Sequence, residues 1–173
     1  MKFLNEKEAK EWLTKRGITA DKNFNNDSLK KEFKNNITYL IPKDTGKKTA
    51  LARIIADIIN ENEDGCYLIT DFGIYPSCDN RDIFNAYRAT IGESRQLIDI
   101  PCHIFTAGEL KELECLIALT LFFYYDSILV ESPQSSISLF KFSHDEYVSV
   151  YTRDDKKFYK FKELLEKFGL VTV

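Results

Sequence analysis

A lysine-rich loop between a predicted strand and a predicted helix is the segment that comes closest to a chemical motif. The run IPKDTGKKT, Ile41–Thr49, lies where phosphate-binding loops are found, because backbone N–H groups at a helix N-terminus attract anions. A Walker A loop has the pattern G-x-x-x-x-G-K-[ST]. Here Ile41 stands at the first glycine position, and Lys48 stands where Ser or Thr binds magnesium. The pattern therefore argues against a true P-loop.

Two interpretations of this loop remain open. In the first, the loop is a looser anion site, and its ligand-binding candidates are Asp44, Lys47, Lys48 and Thr49. In the second, which the sequence favours, Asp44 or Thr45 caps the following helix and Gly46 relaxes the turn.

Other polar residues would join the loop if the strands are parallel neighbours. Asp71 ends the second predicted strand, and Thr106 follows the third. Ligands of open α/β sheets lie beyond the carboxyl ends of parallel strands, so we expect a cleft there. Tyr75 and Ser77, in the loop after Asp71, would line the same cleft. An acid at a strand end is also a common way to start a turn, which is the competing explanation for Asp71.

The sequence contains no complete catalytic or metal-binding set. Cys102 and His103 are neighbours, but in a strand their side chains point to opposite faces and cannot form a dyad. His144 falls in a predicted turn, where polar residues are expected anyway. The four cysteines include no C-x-x-C pair, and the chain has two histidines. We therefore predict no catalytic residue, no metal site and no cofactor, with an enzyme less favoured than a binding protein.

Composition narrows the classes of partner and compartment. The net charge of −3 gives no basis for a sequence-independent grip on nucleic acid. Polar residues follow Leu4 directly, and the longest apolar run, Cys115–Tyr125, is about half the length that a bilayer-spanning helix needs. We therefore expect a cytoplasmic protein that does not bind membranes, with free thiols. The sequence indicates no oligomeric state.

Periodicity supplies the elements that would position these residues. Buried strands are predicted at 37–41, 66–72, 103–105 and 127–130, and a hairpin at 137–142 and 147–152. Helices are predicted after Asn5, over the apolar stripe from Leu51 to Ile59, around 83–91, from the Thr106 capping box through Phe123, and over 158–168.

Strands that alternate with helices favour parallel pairing with right-handed crossovers, whereas a short link forces the last two strands to be antiparallel. The expected fold is therefore α/β, with three layers and a mixed, mostly parallel sheet, closed by a C-terminal antiparallel hairpin and a helix. We predict one domain over 1–173, in which 1–36 form a helix and a polar loop and 37–173 form the α/β core.

Three segments resemble a family of uncharacterised bacterial hypothetical proteins. They are IPKDTGKKTALAR (Ile41–Arg53), DFGIYPSCDN (Asp71–Asn80) and SHDEYVSVYTRD (Ser143–Asp154). The resemblance covers roughly the central two thirds of the chain and implies no activity, cofactor or catalytic residue.

Two functions follow as hypotheses. The first is a cytosolic, non-enzymatic interaction protein with a protein partner, such as an immunity protein that neutralises a toxin; it rests on a small acidic domain without a catalytic set. The second is an enzyme that acts on a phosphate or nucleotide ligand through residues 41–53.

Overall fold

A seven-stranded sheet forms the centre of the computed structural model, which describes residues 1–18, 24–59, 65–71, 78–131 and 137–173, without the side chains of residues 78, 79 and 107. The strands are β1 (Lys2–Leu4), β2 (Asn35–Leu40), β3 (Gly65–Asp71), β4 (Cys102–Phe105), β5 (Asp126–Glu131), β6 (Ser138–Ser143) and β7 (Tyr147–Thr152). The α-helices are α1 (Glu6–Thr14), α2 (Asn26–Glu32), α3 (Thr45–Ile58), α4 (Cys78–Thr90), α5 (Leu110–Phe123) and α6 (Asp155–Lys167).

All neighbouring strands of this sheet are antiparallel. The strand order is β1-β4-β3-β5-β6-β7-β2, and each of the six pairs runs in opposite directions. The prediction of a mixed, mostly parallel sheet is therefore wrong. The β6–β7 hairpin and the closing helix α6 are present where the sequence predicted them.

The error lies in which strands are neighbours rather than in the direction of the crossovers. Helix α3 joins β2 to β3 and α5 joins β4 to β5, and in both cases the two strands run the same way, as a crossover requires. However, β5, β6 and β7 lie between β2 and β3, and β3 lies between β4 and β5. Each inserted strand runs antiparallel to both of its neighbours, so every contact in the sheet is antiparallel.

The connection from β3 to β4 differs from a crossover. After α4 the chain returns to the end of the sheet where β3 finished, because the Ile69 N–H donates to the Pro101 carbonyl at 3.1 Å. Strand β4 then starts beside the end of β3 and runs back along it. This return makes two strands that are separated by a helix into direct antiparallel neighbours.

Helices pack on both faces of the sheet. The first face holds side chains such as Tyr67 and Phe140, and α3, α4, α5 and α6 cover it. The second face holds Cys66, Leu68 and Leu139, and α1 and α2 cover it. Strand residues alternate between the faces, as the two-residue period of a strand requires.

Local signals explain where several helices begin. The helix predicted after Asn5 begins with a capping box at Asn5. The capping box predicted at Thr106 is present and opens a 3₁₀ turn, Ala107–Glu109, that leads into α5. The predicted N-terminal helix is α1, but residues 1–36 also supply the edge strand β1 and helix α2. Within the described ranges, no helix is long and apolar enough to cross a lipid bilayer.

Candidate binding surface

The lysine-rich loop is a capped helix start in which three of the four candidate side chains are already engaged. Asp44 is the N-cap of α3, and its Oδ1 accepts the Lys47 N–H at 2.8 Å. A carboxylate therefore occupies the position that an anion would take. Thr49 Oγ1 donates to the Thr45 carbonyl at 3.1 Å. Of the four candidates, the Lys47 side chain alone is left exposed without a hydrogen bond or ion pair to the described residues.

Lys48 points away from the loop and into the protein. Its side chain is 4% exposed, and Nζ donates to the Leu121 carbonyl at 3.0 Å. Nζ also lies 4.0 Å from the centre of the Tyr124 ring, at the C-terminal end of α5. A cation at a helix C-terminus stabilises the free carbonyls there, so Lys48 joins α3 to α5.

The other candidate residues do not gather around the loop. Strands β2 and β3 finish at the same end of the sheet, so Asp71 and the loop both lie at that end. However, three strands separate them. At roughly 4.8 Å per strand the separation is about 19 Å. Strand β4 runs antiparallel to β3, so Thr106, which follows β4, lies at the opposite end of the sheet. Tyr75 and Ser77 fall outside the described residues.

A histidine–aspartate pair lies at the end of the sheet where β3 finishes. Asp126 Oδ1 accepts the His144 backbone N–H at 2.6 Å and lies 3.0 Å from Nδ1 of the same residue. Nε2 of His144 lies 3.5 Å from Asp145 Oδ1. Asp126 therefore fixes the β6–β7 turn against the start of β5. In the described part of the chain, no hydroxyl or thiol is hydrogen-bonded to the ring, so the pair lacks a nucleophile to activate.

Two buried polar side chains lie between α4 and the sheet. Arg88 is fully buried, and its Nη2 donates to the Ile100 carbonyl at 2.6 Å. Burial lowers the pKa of Arg88 to about 10. His103 is also fully buried, with Nδ1 3.4 Å from the Tyr67 carbonyl. Burial and the Arg88 charge lower its pKa to about 3, so the ring is neutral. These groups hold the connection that precedes β4 and have no exposed side.

The buried thiols of Cys66 and Cys102 contact each other across β3 and β4, with the sulfurs 3.2 Å apart. Their contact and their burial raise the pKa of Cys66, which makes it a poor nucleophile. Among the residues that the structure describes, no group of three or more histidine, cysteine or acidic side chains could hold a metal ion.

Among the described residues, no helix covers one part of the second face of the sheet. We call it the β2 surface, and its members are Thr38 and Leu40 of β2, Tyr147 of β7, and Val171 and Val173 after α6. Leu40 is 44% exposed, Val171 is 63% exposed and Val173 is 73% exposed. The cover from α2 ends where Lys141 and Tyr151 contact Asn26.

The strand register places these side chains on one face. Leu40 is directly opposite Tyr147, and Thr38 is opposite Ser149, whose hydroxyl lies 2.8 Å from that of Thr38. Tyr39 points to the first face, where burial and the nearby Glu166 carboxylate raise the pKa of its hydroxyl to about 12.

Val171–Val173, which we call the tail, lies along the outer edge of β2. Thr172 is opposite Tyr39 in an antiparallel bridge, so Val171 and Val173 share the face of Leu40. The Leu40 N–H donates to the Val171 carbonyl at 2.9 Å, and the Val173 N–H donates to the Thr38 carbonyl at 3.1 Å. These two bonds attach the tail to the sheet.

A cavity of about 220 Å³ adjoins the start of the tail. Its walls are the 40–44 segment, Lys47 and the 168–171 segment. Lys43 and Lys47 are exposed, and neither forms an ion pair with a described residue, whereas Asp44 is engaged as the helix cap. The cavity therefore carries an excess of positive charge beside an apolar sheet edge.

Comparison with known proteins gave no match: no protein family, no curated protein and no solved structure is significantly similar to this chain. The resemblance to uncharacterised bacterial proteins stays a prediction.

The sequence predictions did not include the β2 surface. Leu40 belongs to the apolar run ITYLI, Ile37–Ile41, which is typical of a strand buried on both faces. The alternation in VTV, Val171–Val173, was the available signal of a further strand, although three residues are too few to distinguish a strand from a loop.

Proposed function

We propose that this protein is a non-enzymatic interaction protein that binds a protein partner through the β2 surface. The observation that carries the proposal is the exposure of Leu40, Val171 and Val173 side by side at an otherwise covered sheet. Elsewhere on the second face, Cys66, Leu68 and Leu139 are at most 1% exposed under α1 and α2. Contiguous exposed apolar side chains are typical of protein-binding sites.

The shape and charge of the surface favour a protein over other ligands. The β2 surface is a sheet face beside an edge that the tail covers only in part. Proteins bind such surfaces by adding a strand or by packing side chains on the sheet. Tyr147 offers a half-buried aromatic ring of the kind that is enriched at interfaces. The net charge of −3 disfavours nucleic acid. Immunity proteins, which neutralise toxins by binding them, are one class of protein that would need a protein-binding surface of this kind.

The proposal is tested by comparing two exposed positions. Leu40→Lys puts a charge in the β2 surface, whereas Tyr159→Lys changes a 68% exposed ring on α6, away from that surface. Both variants should keep the circular dichroism and melting curve of the parent. Immobilised parent protein and both variants are then incubated with cell lysate and the bound proteins are identified by mass spectrometry.

A protein retained by the parent and by Tyr159→Lys, but lost with Leu40→Lys, supports the proposal. Hydrogen exchange with that purified partner should show slower exchange in residues 36–41. Equal retention by all three proteins, or protection confined to other regions, would contradict it.

A further inference from the structure

The outer edge of β2 is suited to pairing with an extended chain. In an antiparallel strand both backbone groups of a residue point to the same side, and alternate residues point to opposite sides. The two hydrogen bonds to the tail show that the backbone groups of Thr38 and Leu40 point away from β7, toward the outer edge of the sheet. By the same alternation, the backbone N–H and C=O of Asn36 also point toward the outer edge. They make no hydrogen bond to a described backbone group outside the sheet. The edge therefore extends beyond the part that the tail occupies.

The tail is held mainly by its backbone. Its two valine side chains are 63% and 73% exposed, so they contribute little apolar burial. Segments with few buried contacts and exposed hydrogen bonds open at low free-energy cost. A strand that makes the same two bonds and also pairs with Asn36 would therefore replace the tail.

The charge beside the edge defines the incoming strand. In the antiparallel register of the tail, residues that precede Val171 lie toward the cavity at Lys43 and Lys47. An acidic residue two or three positions before the residue opposite Leu40 would meet these lysines. Asp44 also lines the cavity, but its Oδ1 is bonded to the Lys47 N–H, and two lysines face one carboxylate.

We infer that β2 binds an extended segment of a partner protein as an additional antiparallel strand, displacing the tail, and that this segment carries an acidic residue ahead of alternating β-branched residues. The inference rests on the proposed function and specifies how the partner binds. It treats the tail as a strap that occupies the edge until the partner arrives.

The probe is a fluorescently labelled peptide, EEGLVTVTV, which repeats residues 169–173 behind two acidic residues and continues the alternation. The peptide KKGLVTVTV reverses the charge, and EEGLVTPTV removes the N–H that would bond to the Thr38 carbonyl. Binding to the full chain is measured by fluorescence anisotropy. We expect EEGLVTVTV to bind, and both control peptides to bind at least about threefold more weakly.

Variants of the full chain test the two parts of the inference separately. Val173→Pro removes the N–H that bonds to Thr38, loosens the tail and should tighten peptide binding several-fold. The double change Lys43→Glu, Lys47→Glu should weaken binding of EEGLVTVTV by about threefold to tenfold. Lys160→Glu, an exposed position on α6, is the matched control and should leave binding unchanged. Amide exchange at Asn36 should slow when the peptide is bound.

Equal binding of all three peptides, or no binding of any up to 1 mM (about the weakest affinity worth measuring), would overturn the inference. So would a concentration-dependent dimer that Val173→Pro abolishes, because a second copy would then occupy the edge. If the peptides fail while Leu40→Lys still removes a specific partner, this mode of binding is wrong and the proposed function stands.

Discussion

Replacing Lys48 separates a structural lysine from a ligand-binding one. In Lys48→Met the side chain keeps its length and its apolar stem, but the Leu121 carbonyl loses its donor and Tyr124 loses its cation. A hydrogen bond to a charged group contributes about 1.5–3 kcal/mol, and a cation–π contact contributes about 0.5–2 kcal/mol. Removing a largely buried charge recovers part of this, because the charge no longer has to be desolvated. We expect the free energy of unfolding to fall by about 1–2 kcal/mol.

The neighbouring lysine provides the control. Lys47→Met changes an exposed side chain on the same helical turn, so its effect should stay within about 0.5 kcal/mol. Urea unfolding can be followed by the fluorescence of Trp12, the one tryptophan, which packs against the core of the second face. For a chain of this length each kcal/mol corresponds to about 2–4 °C in Tm, so Lys48→Met should melt about 2–8 °C lower.

A phosphate site at residues 41–53 predicts a different pattern. Nucleotide with magnesium at 100 times its Kd would then stabilise the parent by about 2.7 kcal/mol, and Lys48→Met would lose this effect. Equal stability of Lys48→Met and Lys47→Met, together with a nucleotide shift in the parent alone, would refute our reading of Lys48.

Two further predictions concern buried positions. In the folded protein the pKa of His103 is lowered from 6.5 to about 3. As the pH falls below 6.5, His103 therefore becomes protonated in the unfolded chain but stays neutral in the folded chain. The stability from this group is thus complete above pH 6.5 and is lost at up to about 1.4 kcal/mol per pH unit on acidification. In His103→Phe, the free energy of unfolding measured in urea should depend less on pH, by up to that slope. An unchanged pH dependence would contradict the prediction. In Gly65→Ala, the new Cβ would lie 2.0 Å from the Phe105 ring, so we expect a loss of about 1–3 kcal/mol in urea unfolding. Gly108→Ala, with no atom within 4 Å of the new Cβ, should change little, and equal losses would refute the packing argument.

Local patterns predicted the elements well because the information is local. The stripe in α3, the capping boxes and the four-residue link of the β6–β7 hairpin each depend on residues close in sequence. Strand order depends on contacts between distant segments. Periodicity can indicate that β2 and β3 run the same way, but it carries no signal that three later strands are inserted between them. The parallel sheet was wrong for this reason.

The candidate site depended on that wrong sheet. Asp71 and Thr106 would have met the loop only if β2, β3 and β4 were parallel neighbours, and the antiparallel order sends Thr106 to the other edge. Lys48 does carry a signal of its burial in the sequence. It lies three residues before Leu51 and four before Ala52, on the buried stripe of α3. Helical spacing alone could therefore have assigned it to the core.

The tail reconciles two requirements that the edge of β2 places on the chain. A free edge with exposed apolar side chains is a template for aggregation, and proteins commonly cover such edges. Val171–Val173 covers part of this one, but with two backbone bonds and largely exposed side chains. A tail that packed its valines into the core would protect the edge better and would also close it to a partner. The weak attachment is therefore what the proposed binding edge would require.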